Sequence, residues 1–534
     1  MTDPMPRRDS PGRAPAALDS QRDHALPSHI EVHTRAPSRL RRSRQDRLLV
    51  TVHQVLRTHC EHCITPEGAH LLVDRTDGLA YTLEAEAVLG RLKGLALHEA
   101  GINVSRGVIQ SAIDIIRDEV PSQMPIGYGR AVIDHNGNLC LLTSDGVLVI
   151  NFGETVYHLP DQRPNVSFLL PTHALPVSYK PVYGSAVAHG ALGNLLRILN
   201  VPSDNELLVI AWMVSCWLPE ARKTLLEIIG VPQSGKSTLQ AVLKQILDPS
   251  RMPLVKTTPK TSKQVDELAK SDHVISLDGV GELRSKIQGE LVAVMRGRLV
   301  DVSMLGRRPK TMVNVARPVL VSSLESVATE RELADRTVTI DLPPIESGNK
   351  IVDLYRQAKL QAMLPGAYAS LVAILSNAAH RWKYQKPSAS LPSGIEDFFR
   401  IGCIVAENLG YSQQVFIDQF EKCLKRRFAL ELSENPVAFA INSYLKGSGN
   451  TCQEMSTGQL MSTLEDYFPD LKNNEEWPRN ERQFGSAVRA SIALLRAHNV
   501  DVTPLPKRGG LYRIRLSTLP TSAVGDFPSG GKSS

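Results

Sequence analysis

The chain has little cysteine for its length, seven in 534 residues. That scarcity excludes a disulfide framework and points to a reducing compartment. It lacks an uninterrupted apolar run of the roughly 18 residues needed to cross a bilayer; the most apolar stretch, Leu207 to Leu218, is shorter and contains Ser215. Near its start there is no hydrophobic segment of the kind a secretory signal needs. The expectation is a cytoplasmic protein of a bacterial host cell with no membrane partner. Charge of one sign is also scarce, and a net charge of +6 permits a nucleic-acid partner without requiring one. Cys60-Glu61-His62-Cys63, after His59, is a single C-x-x-C pair with no second pair at zinc-finger spacing. It reads as a helix end with buried thiols, unless His53 or His70 completes a zinc site.

What is present is organised around Leu225 to Val242, LLEIIGVPQSGKSTLQAV. An apolar run, Leu225 to Ile229, leads into Gly230-Val231-Pro232-Gln233-Ser234-Gly235-Lys236-Ser237, then Thr238 and a helical pattern. This is G-x-x-x-x-G-K-S between a predicted strand and a predicted helix, the context that separates a phosphate-binding loop from a chance match. Glycine lets the loop wrap closely around a phosphate, and successive N–H groups at a helix N-terminus point at the anion. Gly230 to Thr238 are therefore expected to hold ATP. Lys236 would reach its outer phosphates, and Ser237 would join the shell of a Mg²⁺ ion.

Four further features follow in order. His273 to Asp278 is an apolar strand ending in an acid, about 40 residues past Lys236, a spacing that suits an adjacent core strand. Asp278 is the second candidate Mg²⁺ ligand. Gly279 stands where many such ATPases carry glutamate, so Glu282 is the nearest candidate base, or else a solvated helix-start residue. Pro318 to Val321 is a buried-type strand ending in Ser322-Ser323. Ser323 is a candidate contact to the γ-phosphate or attacking water, or a simple strand cap. Arg336, entering the strand Thr337 to Leu342, is placed either to reach a neighbouring subunit's nucleotide or to pair with Asp335 or Glu332. Leu299 to Leu305 and Thr311 to Val315 suggest a hairpin whose tip holds Arg307, Arg308 and Lys310. Those cations are a candidate DNA contact or an ordinary solvated turn.

The length predicts about three domains. Strand–helix alternation over 185–345 predicts an α/β fold, a parallel-sheet P-loop NTPase core. Upstream, 1–45 reads as a disordered basic tail and 46–184 as a small α+β domain. The latter has helices at Leu48 to His59, Glu84 to Glu99 and Ser105 to Glu119, and turns at Asp134 to Asn138 and Ser144 to Gly146. Downstream, 346–430 carries the long helical patterns Ile351 to Trp382 and Ile395 to Phe428 of a helical lid. Residues 431–516 read as winged-helix-like: helices near 436–446, 457–467 and 481–498, then Val500 to Pro504, a tip with Lys507 and Arg508, and Leu511 to Leu516. Lys507 and Arg508 are candidate phosphate contacts, with a helix for the major groove, unless the unit serves for packing. Residues 517–534 read as a disordered tail.

In this order the pieces resemble AAA+ ATPases of the superfamily-3 helicase kind, and more narrowly the helicase portion of primase–helicase replication proteins of phages and mobile elements. The resemblance rests on the Gly230–Ser237 loop, the strand to Asp278-Gly279-Val280, Arg317-Pro318-Val319-Leu320, and Leu333-Ala334-Asp335-Arg336, and covers about 185–516. It implies a homo-oligomeric ring, a hexamer, with single-stranded DNA in its channel against Arg307, Arg308 and Lys310. It also implies an ATP site between subunits, with Arg336 supplied in trans. Two positions depart from the pattern: relatives often carry Asn where this chain has Gly279, and Asn at the strand end that is here Ser322-Ser323. No pair of metal-binding acids marks a primase, since Asp74 and Asp77 flank a turn, so a primase is expected as a separate partner. The functional expectation is a DNA helicase or translocase acting in replication. The alternative is an ATP-switched DNA-binding or assembly protein, an initiator or defence component, with slow or no turnover.

Overall fold

The computed structural model describes residues 44–83, 86–143, 146–151, 154–158, 164–177, 188–302, 311–345, 350–385, 394–448, 452–508 and 511–518. By internal contacts 1–47 and 48–534 are separate units, and apart from the first turn of one helix every element below lies in the second. Helix α1 (Arg44–His59) is followed by an antiparallel sheet of β1 (Cys60–Ile64), β2 (His70–Asp74) and β3 (Ala80–Thr82), then by α2 (Glu86–Ala100) and α3 (Arg106–Arg117). On α3 the buried residues are Val108, Ile109, Ala112, Ile113 and Ile116, the spacing of one helical face.

Strand β1 corrects the expectation of a helix end at Cys60 to Cys63. Residues three apart on a strand face opposite sides. Cys60 accordingly packs with Val52, Leu56 and Leu72, and Cys63 with Leu71, Val73 and Ala80. The thiols are buried, as expected, and burial pushes both up to about 12. A pair split between two cores is not a half-site for zinc, and among the described residues no group of three His, Cys, Asp or Glu gathers as a metal site.

Short strands come next: β4 (Ile126–Gly127), β5 (Ala131–Ile133), β6 (Leu139–Leu142), β7 (Val147–Asn151), β8 (Glu154–His158) and β9 (Ser167–Phe168). Strands β5 to β8 form an antiparallel meander, and β4 pairs in parallel with β9. The first meander turn is closed by Asp134, whose Oδ1 accepts from the N–H groups of Asn136 and Asn138, both at 2.8 Å.

The central region runs α4 (Ala188–Ile198), α5 (Glu206–Cys216), β10 (Leu225–Ile229), α6 (Lys236–Leu247), α7 (Ser262–Ser271), β11 (Ile275–Val280), α8 (Ser285–Arg296), β12 (Arg298–Asp301), β13 (Met312–Val315), β14 (Val319–Ser323), α9 (Arg331–Ala334) and β15 (Thr337–Asp341). Helix α5 is buried on every side from Leu207 to Cys216, as an all-apolar helix must be. Four strands make a wholly parallel sheet in the order β11-β14-β10-β15. The Asp278 strand is therefore not adjacent to the phosphate-loop strand, as its spacing suggested. The chain leaves one place open on the way from β10 to β11, and β14 later fills it. Strands β12 and β13 pair antiparallel; the tip between them, with Arg307, Arg308 and Lys310, lies outside the described residues.

Helix α10 (Lys350–Arg381) continues into a 3-10 turn at Trp382–Tyr384. The stretch Gln357–Tyr384 has the length to cross a bilayer and contains an 18-residue window of mean hydropathy 1.4, but 67% of that window is buried within the protein. Leu364, Ala367, Leu371 and Leu375 join one core with residues of α4, α5 and the next helix. The single pattern read over Ile395 to Phe428 is two helices, α11 (Glu396–Asn408) and α12 (Gln413–Glu434). Gly410 at φ +81 makes the reversal between them. The last unit is α13 (Pro436–Ser448), β16 (Cys452–Ser456), α14 (Thr457–Tyr467), α15 (Glu481–Ala497), β17 (Val500–Arg508) and β18 (Leu511–Thr518), with sheet order β16-β18-β17. Strand β16, CQEMS, was not foreseen, because its residues lack an apolar alternation.

A buried ionic cluster joins the strand region before residue 178 to the parallel sheet. Asp248 Oδ1 accepts from Arg130 Nε at 3.1 Å, and its Oδ2 accepts from Lys244 Nζ at 2.7 Å and His273 N at 2.8 Å. Lys244 also donates to Asp272 Oδ1 at 2.8 Å. Arg130 also donates to the carbonyls of Leu175 and Pro249, at 2.6 and 2.8 Å. Burial acts to raise the Asp248 carboxyl, but Lys244 and Arg130 outweigh it and hold the group well below the usual carboxylate range. A carboxylate depressed in the folded state contributes stability that is whole above about pH 4 and is lost as pH falls toward the folded value. Lys244→Met strands buried carboxylates, and it should lower the free energy of unfolding by about 3–5 kcal/mol at neutral pH. Urea denaturation measures this; an unchanged midpoint would show that Lys244 is not what compensates Asp248.

Candidate functional site

The loop after β10 is shaped by three residues of positive φ: Gly230 at +147, Gln233 at +66 and Gly235 at +92. At Gly230 a Cβ would stand 2.6 Å from Leu342 O and 3.0 Å from Ser234 Oγ, so no larger residue fits without displacing backbone. Helix α6 begins at Lys236 with Gly235 as its cap, a residue with no side chain to take up the first N–H groups. Those donors therefore face the concavity of the loop, the arrangement that receives an anion. Asn200, itself at φ +67, donates from Nδ2 to Ser234 O at 3.1 Å and to Pro343 O at 2.7 Å, tying the loop to the chain beyond β15. Lys236 Nζ donates to Gly230 O at 2.6 Å and Val231 O at 2.8 Å. Burial lowers its pKa, while Asp278 and Asp341 act in the opposite sense.

The sheet order brings three oxygens together. Asp278 Oδ1 accepts from Ser237 Oγ at 2.7 Å and from Ser322 Oγ at 2.8 Å, and Ser322 Oγ accepts from Gly279 N at 3.0 Å. Ser322 and Ser323 are successive strand residues and so point to opposite faces. It is Ser322 that meets Asp278; Ser323 Oγ is buried and has no hydrogen-bond partner among the described residues. One strand over, the buried carboxyl of Glu227 accepts from Ser326 Oγ, Val327 N and Thr339 Oγ1 at 2.9, 2.7 and 2.8 Å. That fastens the segment after β14 across β10 to β15. Burial pushes the Glu227 carboxyl up, against those three donors.

Other expected site residues stand apart. Glu282 is exposed in the loop between β11 and α8. Arg336 is 7% exposed; a Cβ on Gly394 would lie 2.7 Å from its Cγ, and its Nε has no hydrogen-bond partner among the described residues. Burial, then the neighbouring Arg296, lowers its pKa. A more outward cation in this part of the chain is Arg331, its side chain 80% exposed and 3.8 Å from Asp335. Lys507 and Arg508 end β17, with side chains outside the described residues. Sequence reasoning passed over Asn200 and Glu227. A polar residue after a helix and an acid inside an apolar strand were signals, but each acts through a partner more than thirty positions away.

No protein-family model matches the chain, and no curated protein matches it. Solved structures do. The chain is similar to one described as SCCmec type IV Cch, an active helicase, with 13% identity and a TM-score of 0.44 over 86% of this chain and 92% of that one. It is similar to the apo A form of the NrS-1 C-terminal region, with 12% identity and a TM-score of 0.38 over 89% and 99%. Over 43% of this chain and 71% of the other it is similar to the JCV helicase, with 16% identity and a TM-score of 0.20. Cch and the JCV protein are described as helicases, the class of protein that the sequence motifs resemble.

Ser322→Ala removes a bond to Asp278 and the acceptor of the Gly279 N–H. If the cluster serves nucleotide hydrolysis, loss of such a supporting contact should cut the rate about 10–100-fold. Nucleotide affinity, if the loop sets it, should stay within about threefold. Steady-state hydrolysis and equilibrium binding on one preparation measure both; an unchanged rate would show that Asp278 needs no help from β14.

Proposed function

We propose that the chain is an ATP-dependent DNA helicase or translocase of a phage or mobile element, working as an oligomeric ring in DNA replication in a bacterial cytoplasm. The observation that supports it best is the Ser237–Asp278–Ser322 cluster beside the loop of Lys236. Loop amides and Lys236 are donors for phosphate oxygens, and the orphaned Ser323 hydroxyl offers one more. Ser237 and Asp278 are the hard oxygen ligands that would hold Mg²⁺, which commonly takes only one or two protein oxygens beside the phosphates. Bound there, the ion neutralises charge on the phosphates. Within this reading Lys236 grips the triphosphate, Asp278 and Ser322 fix the position of Ser237, and Glu282 is the nearest acid to orient water after loop movement. An arginine supplied by a neighbouring subunit completes the site. Arg336 takes that part only if the segment at Gly394 moves away, whereas Arg331 is already outward. The basic tip with Arg307, Arg308 and Lys310, and the wing with Lys507 and Arg508, are the DNA contacts of this reading. A separate primase would be its partner.

A second reading is an ATP-switched DNA-binding or assembly protein with slow turnover. Gly279 beside Asp278 and the exposed Glu282 favour it, because the residue that follows Asp278 has no side chain to activate water. Hydrolysis measured with and without single-stranded DNA separates the two. The helicase reading expects multiple turnover that rises with DNA and vanishes in Lys236→Ala. ATP-dependent oligomers with little turnover would instead establish the switch. In mixed oligomers, Arg331→Ala or Arg336→Ala subunits combined with Lys236→Ala subunits should regain activity for the residue that acts in trans; no recovery with either would place the finger elsewhere. Changing Arg307 and Arg308 together to Ala should flatten the salt dependence of DNA binding by about two in slope. An unchanged slope would exclude that tip as the DNA contact.

A further inference from the structure

The loop that holds Glu282 and the helix that holds Arg331 are tied to one buried amide. Gln288 stands on α8 and is 1% exposed. Its Nε2 donates to Leu283 O and to Thr329 Oγ1, both at 2.7 Å, and its Oε1 accepts from Glu330 N at 2.8 Å. A glutamine amide has two N–H donors, so both are committed, one to each side. Leu283 directly follows Glu282, the exposed acid between β11 and α8. Glu330 is the residue from which α9 starts, and Arg331 comes next.

On either side of α9 the backbone is attached to β10. Ahead of it, Val327 N donates to the Glu227 carboxyl at 2.7 Å; behind it, Leu225 N donates to Arg336 O at 2.9 Å. Between these anchors two links come from α8, the Gln288 amide and the ion pair of Arg296 with Glu332. Both side chains of that ion pair are half exposed, where such a pair contributes little. Around Gln288, by contrast, Leu283, Ile287, Val327 and Leu333 share one apolar core. A bond broken there leaves a polar group unpaired away from water, so Gln288 is the firmer link.

We infer that Gln288 is a positioning residue that couples the Glu282 loop of one nucleotide site to α9, and through α9 to the arginine offered to the neighbouring subunit. This rests on the reading of a ring with an arginine supplied in trans. For Glu282 to orient water its loop must turn, and the Leu283 carbonyl is the next group along. Gln288 then either follows that carbonyl and draws the Glu330 N–H with it, or leaves a buried bond unmade. The far end of α9 is held by Leu225, so a pull at Glu330 swings the near end. Arg331 is displaced while the Arg336 backbone keeps its place. Occupancy of one site thereby sets the reach of Arg331 toward the next. The coupling is reciprocal: an arginine engaged on a neighbour's phosphate holds Glu330 and, through Gln288, the loop of Glu282.

Hydrogen–deuterium exchange on the full chain reads the coupling without requiring turnover. Peptides covering 281–284 and 328–335 are followed with and without Mg²⁺ and adenylyl imidodiphosphate, an ATP analogue whose outer bridge resists hydrolysis. In the parent, exchange should change in both segments. Gln288→Met removes the donors and the acceptor at similar length; Gln288→Glu, ionised, removes only the donors and serves if the first variant fails to fold. In either, the response at 281–284 should remain and that at 328–335 should disappear. In steady state either variant should lower kcat about tenfold, with KM for ATP within about threefold. An Arg331→Ala background should absorb the effect, so that adding Gln288→Met lowers kcat less than about twofold further. A residue that only stabilises the fold would lower both backgrounds alike. The inference is overturned if 328–335 fails to respond in the parent, if it responds equally in the variants, or if the two substitutions multiply. A parent that binds no analogue overturns the nucleotide reading itself; a parent that binds it without turnover leaves the exchange result to decide.

Discussion

Between the strand that ends in the phosphate loop and the strand that carries Asp278 lies β14, and the candidate site takes its dimensions from that insertion. Neighbouring strands stand about 4.8 Å apart, so β10 and β11 are separated by about twice that. Asp278 would not meet the phosphate loop from so far if it depended on its own strand alone. Ser237, carried forward on the first turn of α6, covers the distance from one side, and Ser322 of β14 braces the carboxylate from the other. Parallel strands all present their C-terminal ends on the same edge, which is why three elements distant in sequence converge there. The fold makes the convergence, and the hydroxyls make it chemically specific.

At the other edge of the sheet the same elements do different work. Helix α6, which starts in the phosphate loop, carries Lys244 near its far end, and Lys244 sits among Asp248, Asp272 and the carbonyl of Val274. Arg130 reaches into this cluster from the strand region upstream. One helix thus starts beside the Ser237–Asp278 pair and ends in a buried cationic cluster, and the second end binds the upstream strands to the sheet. Replacing such a buried ion set piecemeal is costly, because each removed partner leaves an uncompensated charge. Glu227 does comparable work in mid-sheet, where it holds the segment after β14 to β15.

Local chemistry was legible in the sequence where a residue type is demanded by backbone geometry or by face. Gly230 and Gly235 are such positions: their positive φ and the crowding at Gly230 leave little choice. The helices expected near 436–446, 457–467 and 481–498 were also readable within about two residues, as α13, α14 and α15. What was not legible depended on partners far along the chain. The place of β14 in the sheet is a long-range fact that no local pattern encodes, and Ser322 could not be separated from Ser323 without it. Cys60 and Cys63 looked like a pair until the strand placed them on opposite faces. Gly410 lay inside a continuous apolar pattern, and only its left-handed backbone divides α11 from α12. Gly394, a residue of a different segment, lies against the Arg336 side chain, a contact that no local pattern encodes.

Asn200 holds two carbonyls with one amide, that of Ser234 inside the phosphate loop and that of Pro343 just past β15. A single planar group with two donors in fixed relation acts as a rigid spacer between them. If the loop closes on an anion and the Ser234 carbonyl turns, the spacer must either release one acceptor or carry the chain at Pro343 with it. Pro343 stands at the head of the connection to α10. The loop therefore has a direct mechanical line to the chain leaving β15, one that bypasses the hydrogen bonds of the sheet itself.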